Sequence, residues 1–168
     1  MVMLSTHFDL QEFEHEVNVP AVAIPTYAYL CENVLEPVRR EFGSLGITSG
    51  YRSSESNAKA HGQPNSEHIA TADYCAADFY FIAMPGQARM IFDWMRNNPM
   101  LPFHQLILEH SAKGSSVIHV SYNRTKPGIR SVLEGATHNA QPYVKVDYVA
   151  YNPPSNNHTA VQDAVEAG

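Results

Sequence analysis

One stretch constrains this chain more than any other: Asn65-Ser66-Glu67-His68-Ile69-Ala70-Thr71-Ala72-Asp73-Tyr74-Cys75-Ala76-Ala77-Asp78-Phe79-Tyr80-Phe81. It starts as a polar loop and ends as an alternating apolar strand, the period-two signature of a half-buried β-strand. It carries one histidine and two aspartates within eleven residues. A second histidine, His119, sits in another strand-like run, Val117-Ile118-His119-Val120-Ser121-Tyr122. Alternation puts Val117, His119 and Ser121 on one face of that run and Ile118, Val120 and Tyr122 on the other.

Catalytic zinc sites use three protein ligands drawn from His, Asp and Glu and leave a position for water. His68 and Asp78 flank a loop, so a short excursion of the chain can bring both to one point, and His119 on a neighbouring strand can supply the third ligand. A zinc ion there would lower the pKa of water toward about 7 and make it a usable nucleophile. Asp73 competes with Asp78 for the carboxylate role, its alternative being a turn residue. Glu109 ends the apolar run Gln105-Leu106-Ile107-Leu108-Glu109, one hairpin arm from His119. It is the candidate general base and acid, with His110 as its neighbouring alternative. Arg52 follows Gly50 in Ile47-Thr48-Ser49-Gly50-Tyr51-Arg52-Ser53, and its planar fork suits a substrate carboxylate.

The rest of the chain supplies a scaffold. Asp9 or Thr6 can cap a brief helix whose Leu10 and Phe13 face inward. From Thr26 to Phe42, Tyr27, Leu30, Cys31, Val34, Leu35, Val38 and Phe42 recur at helical spacing. Thr26 is the expected cap of that helix, Gly43 its stop, and Pro37 should kink or split it. Ser54 to Glu67 reads as a long polar loop. A second helix is predicted from Pro85-Gly86 to about Asn97, with Ala88, Ile91, Phe92 and Met95 on one face. The runs 105–109 and 117–122 form a hairpin around Ala112-Lys113-Gly114-Ser115. Ser131-Val132-Leu133 and 143–149 are expected to add edge strands. Helices and strands mixed without strict alternation predict an α+β fold: a small, mostly antiparallel sheet, helices packed on it, and the zinc site at the sheet.

With 168 residues, a single domain over residues 1–150 is expected, followed by a mobile Pro/Asn-rich tail over 151–168. The net charge of −6 argues against nucleic acid, which calls for clustered Lys and Arg. The two cysteines, Cys31 and Cys75, are expected as buried free thiols. No apolar run is long enough for membrane insertion. No basic stretch followed by an apolar one opens the chain, so synthesis in the cytoplasm without a secretory signal is expected.

Five segments, in order, carry a family resemblance: Ser49-Gly50-Tyr51-Arg52-Ser53, Ser66-Glu67-His68, Ala76-Ala77-Asp78, Gln105-Leu106-Ile107-Leu108-Glu109 and Ile118-His119-Val120-Ser121. Together they resemble the zinc D-Ala-D-Ala carboxypeptidase family of bacterial peptidoglycan peptidases and phage endolysins, over roughly residues 4–135. The resemblance implies Zn2+ held by His68, Asp78 and His119, Arg52 and Ser66 near the substrate, and an acidic catalytic residue, for which Glu109 is the choice. It also implies a peptidoglycan peptide as substrate and action at the bacterial cell wall after release.

The chain departs from the family's S-x-H-x-x-G-x-A-x-D pattern. Nine residues rather than six separate His68 from Asp78, and the glycine is missing; an insertion of three in the loop accounts for both. Ile118 stands where an aromatic often precedes the histidine, His104 where an aspartate is common, and Ser116 where some relatives carry their acid. The expected function is therefore zinc-dependent hydrolysis of peptidoglycan peptides, with a catalytically silent, zinc-stabilised module, for example of a phage particle, as the alternative.

Overall fold

A computed structural model describes residues 2–82, 86–111, 115–136 and 144–145. The expected turn at 112–114, the start of the second helix at Pro85, most of the 143–149 segment and the 151–168 tail lie outside them.

Leu10–Phe13 forms a single 3-10 turn capped by Asp9, whose side chain accepts from the Gln11 amide while Glu12 reaches back to the Asp9 amide. This is a capping box, and of the two expected caps, Asp9 and Thr6, it is Asp9 that serves. The next helical segment is continuous but changes its winding. Ile24–Leu30 (α1) and Glu36–Phe42 (α2) are α-helical, and Cys31–Leu35 between them is π-wound. Pro37 explains the change: it has no N–H and its ring crowds the carbonyl four residues back, so the preceding turn opens to a longer hydrogen bond from the Glu36 amide to Cys31. Thr26 does not cap this helix. The helix begins two residues earlier, with Pro25 in its first turn, and the Thr26 hydroxyl donates to the Ala72 carbonyl. Gly43 ends it at a φ of 91°, a conformation that glycine adopts without strain.

The polar stretch after Arg52 is not all loop. Ser54–Lys59 is a short helix (α3) capped by Ser53, whose hydroxyl accepts from the Ser56 amide. It buries only Asn57, so no apolar stripe announces it. Ala88–Asn97 (α4) follows its expected pattern, with Ile91, Phe92 and Met95 buried.

The strands are Leu45–Ser49 (β1), Tyr74–Phe81 (β2), Gln105–His110 (β3), Ser116–Asn123 (β4), Ser131–Ala136 (β5) and Val144–Lys145 (β6). They form one sheet in the order β1-β2-β4-β3-β5-β6. Every neighbouring pair is antiparallel except β3 with β5. The fold is α+β with a mostly antiparallel sheet, as expected.

The helices cover one face. Cys75, Ala77, Phe79 and Phe81 of β2, Leu106 and Leu108 of β3, and Ile118 and Val120 of β4 join Tyr27, Leu30, Val34, Leu35, Val38, Ile91, Phe92 and Met95 in the core. Burial of these side chains, at roughly 1.5–3 kcal/mol each, is the main source of stability. Both cysteines are free and lie in this core. Among the described residues no helix is long and apolar enough to cross a membrane.

Candidate metal centre

The opposite face of the sheet is polar. Antiparallel register sets Asp78 of β2 opposite His119 of β4, and Ile107 of β3 opposite His119 on its other side. Glu109 lies opposite Val117, so it shares the His119 face two residues along. At the β1 edge a bulge leaves Thr48 unmatched, with Ile47 opposite Phe79 and Ser49 opposite Asp78. Such a bulge re-aims the strand end, a recurrent device beside active sites.

The loop between α3 and β2 delivers His68 to this row. His68 Nε2 stands 3.1 Å from Asp78 Oδ1 and 3.2 Å from His119 Nδ1, and His119 Nδ1 is 2.8 Å from the same oxygen. The three residues form a group that could hold a metal ion. The two histidines are buried, and Asp78 keeps 13% of its side chain accessible.

The second bond of His68 decides its tautomer. Its Nδ1 lies 2.6 Å from the Gly50 carbonyl oxygen, which can only accept, so Nδ1 carries the proton. Gly50 reaches this position because it lacks a side chain: a Cβ there would stand 2.5 Å from the Phe13 Cα. With Nδ1 protonated, neutral His68 turns a lone pair toward a carboxylate oxygen. Two facing acceptors require a cation between them, either a proton or a metal ion. The triangle edges of 2.8, 3.1 and 3.2 Å are close to the spacing of about 3.3 Å between neighbouring ligands of a tetrahedral ion with bonds of about 2.0–2.1 Å. The donor set therefore fits a resident divalent cation.

Electrostatics around Asp78 favour its charged form. Burial raises its carboxyl pKa, but the charges and hydrogen bonds of His68 and His119 outweigh burial and hold it far below the usual carboxylate range. For His119, burial pulls the ring pKa down, while the bond and charge of Asp78, with Glu109 and Glu67 further off, push it above its ordinary value. Arg52 donates from Nη2 to Asp78 Oδ2 at 3.1 Å and from Nε to the Ser49 hydroxyl at 3.0 Å. It thus occupies one carboxylate oxygen and leaves the other to the histidines. Ser66 is half-buried, and its hydroxyl accepts from the His68 amide at 3.3 Å. Beside Arg52 opens a cleft of about 350 Å³, lined by Thr48, Ser49, Tyr51, Ser56 and Lys59 among others.

The two alternatives raised by the sequence lie elsewhere. Asp73 accepts from Arg124 Nε at 2.6 Å, and its carbonyl accepts from the Arg124 amide, so it pins the loop before β2 to the end of β4. His110 pairs with the Ser116 hydroxyl and with Glu134 Oε1, away from the His68–Asp78–His119 group.

Sequence reasoning passed over Glu67. Its carboxylate is buried and accepts from His104 Nδ1 at 2.9 Å and from Asn123 Nδ2 at 2.6 Å. The available signal was an acid wedged between Ser66 and His68, coupled with a histidine at 104.

No curated protein and no solved structure matches the chain. The family model described as Peptidase M15 matches residues 6–121, a span that contains the three clustered side chains, Arg52, Ser66 and Glu109. The chain therefore belongs to the Peptidase M15 family, the zinc D-Ala-D-Ala carboxypeptidase-like peptidases.

Proposed function

We propose that this protein is a zinc-dependent peptidase that hydrolyses peptide bonds in the stems or cross-links of bacterial peptidoglycan, in lysis or remodelling of the wall, as a phage endolysin does. The observation that carries this reading is the convergence of His68 Nε2, Asp78 Oδ1 and His119 Nδ1 on one point, with an acid on the same sheet face. His68, Asp78 and His119 would hold the zinc. When bound, the ion supplies Lewis-acid activation of a water molecule and of the scissile carbonyl.

The chain's own groups do the rest. Glu109 accepts the proton of the attacking water and passes it to the departing nitrogen, so the amine leaves neutral. Its placement suits that work, because it lies on the His119 face of the sheet, two residues along β3 from the position opposite His119. Arg52, which lines the cleft, binds the carboxylate end of the substrate with its remaining N–H groups and orients the bond for attack. Ser66 lines the substrate edge while its hydroxyl steadies the His68 amide.

The test is hydrolysis of purified peptidoglycan by the zinc-loaded protein, by the chelated protein and by the zinc-restored protein. New amino termini that appear with zinc, vanish with chelator and return on restoration support the reading. Tight zinc binding without release of any wall peptide would sink it.

A further inference from the structure

A buried carboxylate next to a metal-binding histidine needs an explanation of its own. Glu67 and His68 are consecutive, and both are buried, yet they are fastened at different points of the same sheet face. His68 meets Asp78 and His119. Glu67 accepts from His104, just before β3, and from Asn123, four residues beyond His119 on β4. His104 is itself tied on both sides: its amide donates to the Ser121 carbonyl, and its carbonyl accepts from the Ser131 amide that opens β5. Asn123 is held too, its Oδ1 accepting from the amide and hydroxyl of Thr125. The two donors to Glu67 are thus tied to β4 and β5, which both pair with β3. Its own backbone continues into His68, whose carbonyl accepts from the Arg52 amide at 2.9 Å.

We infer that Glu67, with His104 and Asn123, is the positioning anchor that holds His68 and the adjoining Arg52 turn over the sheet before any metal arrives. This rests on the reading of His68 as a metal ligand. A loop side chain left to itself loses rotamer and backbone freedom when it ligates an ion. An anchor one residue away removes that freedom during folding, so less is lost on binding. Groups that orient a metal ligand through a hydrogen bond typically contribute about 10–100-fold in affinity; Glu67 acts on His68 through the backbone that joins them, so this range is the upper bound taken for it. No proton transfer is assigned to Glu67, and it touches none of the three clustered side chains.

The experiment pairs two measurements on the full chain. Zinc affinity is read by competition with a chromophoric chelator. Hydrogen exchange of the Arg52 amide is read by NMR in the metal-free protein, with amides in the middle of β4 as internal reference. In Glu67→Ala, zinc affinity should fall by up to about 10–100-fold, and the Arg52 amide should lose protection by about tenfold or more relative to the β4 amides. His104→Ala added to Glu67→Ala should cost less than the two single changes summed, because both remove one contact. Glu67→Gln keeps one carbonyl acceptor for His104, so it should fall between wild type and alanine; it also serves if the alanine variant does not fold.

Arg52 protection within about twofold of wild type in these variants overturns the anchor. So does lost protection with unchanged zinc affinity, which would make the contact structural only. If the wild-type chain takes up no zinc while the Arg52 amide still responds to Glu67, the anchor stands as a loop clamp, and the metallopeptidase reading is what fails.

Discussion

Residue by residue, β4 alternates between two environments. Ile118 and Val120 point into the helical layer among Leu106, Leu108 and the side chains of α1 and α4. His119, Ser121 and Asn123 point the other way, under the loop that carries Glu67 and His68. Both sets are buried, but by different means. The apolar set is covered by close packing, tolerant in direction and sensitive to volume. The polar set is covered by a loop held through hydrogen bonds that are sensitive to direction and to charge. One strand therefore carries two kinds of specification, and single substitutions on its two faces should fail in different ways.

The largest effect should come on the polar face. Asp78→Asn removes the charge that His68, His119 and Arg52 all address; because the ion would be lost with it, peptidoglycan hydrolysis should fall by more than about 10⁴-fold, beyond the upper end of what losing the general base alone costs. Zinc titration should show the ion lost together with the activity; retained tight binding would break the comparison at its centre. Glu109→Gln should separate the functions of that face. Turnover should drop about 10²–10⁴-fold while zinc affinity stays near wild type, and full activity in this variant would remove Glu109 from the mechanism.

On the apolar face, Leu108→Ala or Ile118→Ala should destabilise the fold by about 2–5 kcal/mol in denaturant unfolding. The protein that remains folded should bind zinc nearly as well as before. If either core truncation weakened zinc binding as much as Asp78→Asn, the two faces would not be the separate systems described above.

The smallest expected effect lies in the helical layer, at Glu36 of α2, which accepts from the Ser5 hydroxyl and from the His7 amide and ring. Burial raises its pKa, but those bonds outweigh it and leave the carboxyl below its ordinary value. A depressed carboxyl adds stability above its unfolded pKa of about 4.3, and that stability is lost as pH falls through the folded value. Glu36→Gln should flatten this acid limb of a stability-versus-pH curve, by less than about 1 kcal/mol because the pair is partly exposed.

The two faces also differed in how well they could be read in advance. The apolar face was legible because it rests on period: the 3.6 spacing from Tyr27 to Phe42 and in α4, and the alternation in β2 and β4. The change of winding before Pro37 followed from the chemistry of proline, though its π form did not. Helix α3 was missed because its Ser, Glu, Asn and Lys offer no stripe to count; its one signal was Ser53, a good cap at the end of the segment 47–53, which reads apart from the polar stretch after it. The parallel pairing of β3 with β5 depends on long-range packing that no local pattern encodes.

On the polar face, residue types were readable and geometry was not. The chemistry of His, Asp and Glu singled out His68, Asp78, His119 and Glu109, but only the register shows that Asp78, not Asp73, stands beside both histidines. The loop between His68 and Asp78 has its own fastening through Asp73 and Arg124. The link from Glu67 to Asn123 spans 56 positions and has no sequence signature.

The pairing of Asp78 with His119 across β2 and β4 bears on how the chain reaches its final form. A slip of one position between these strands would turn one of the two side chains into the helical layer. An ion held by both, together with His68, would favour the sheet zipped in its proper frame. Ligand binding to the native state alone stabilises it by mass action, about 2.7 kcal/mol at a hundredfold excess over Kd. Such an ion would favour correct strand alignment, because a chain in which the two side chains lie on opposite faces would forgo that stabilisation.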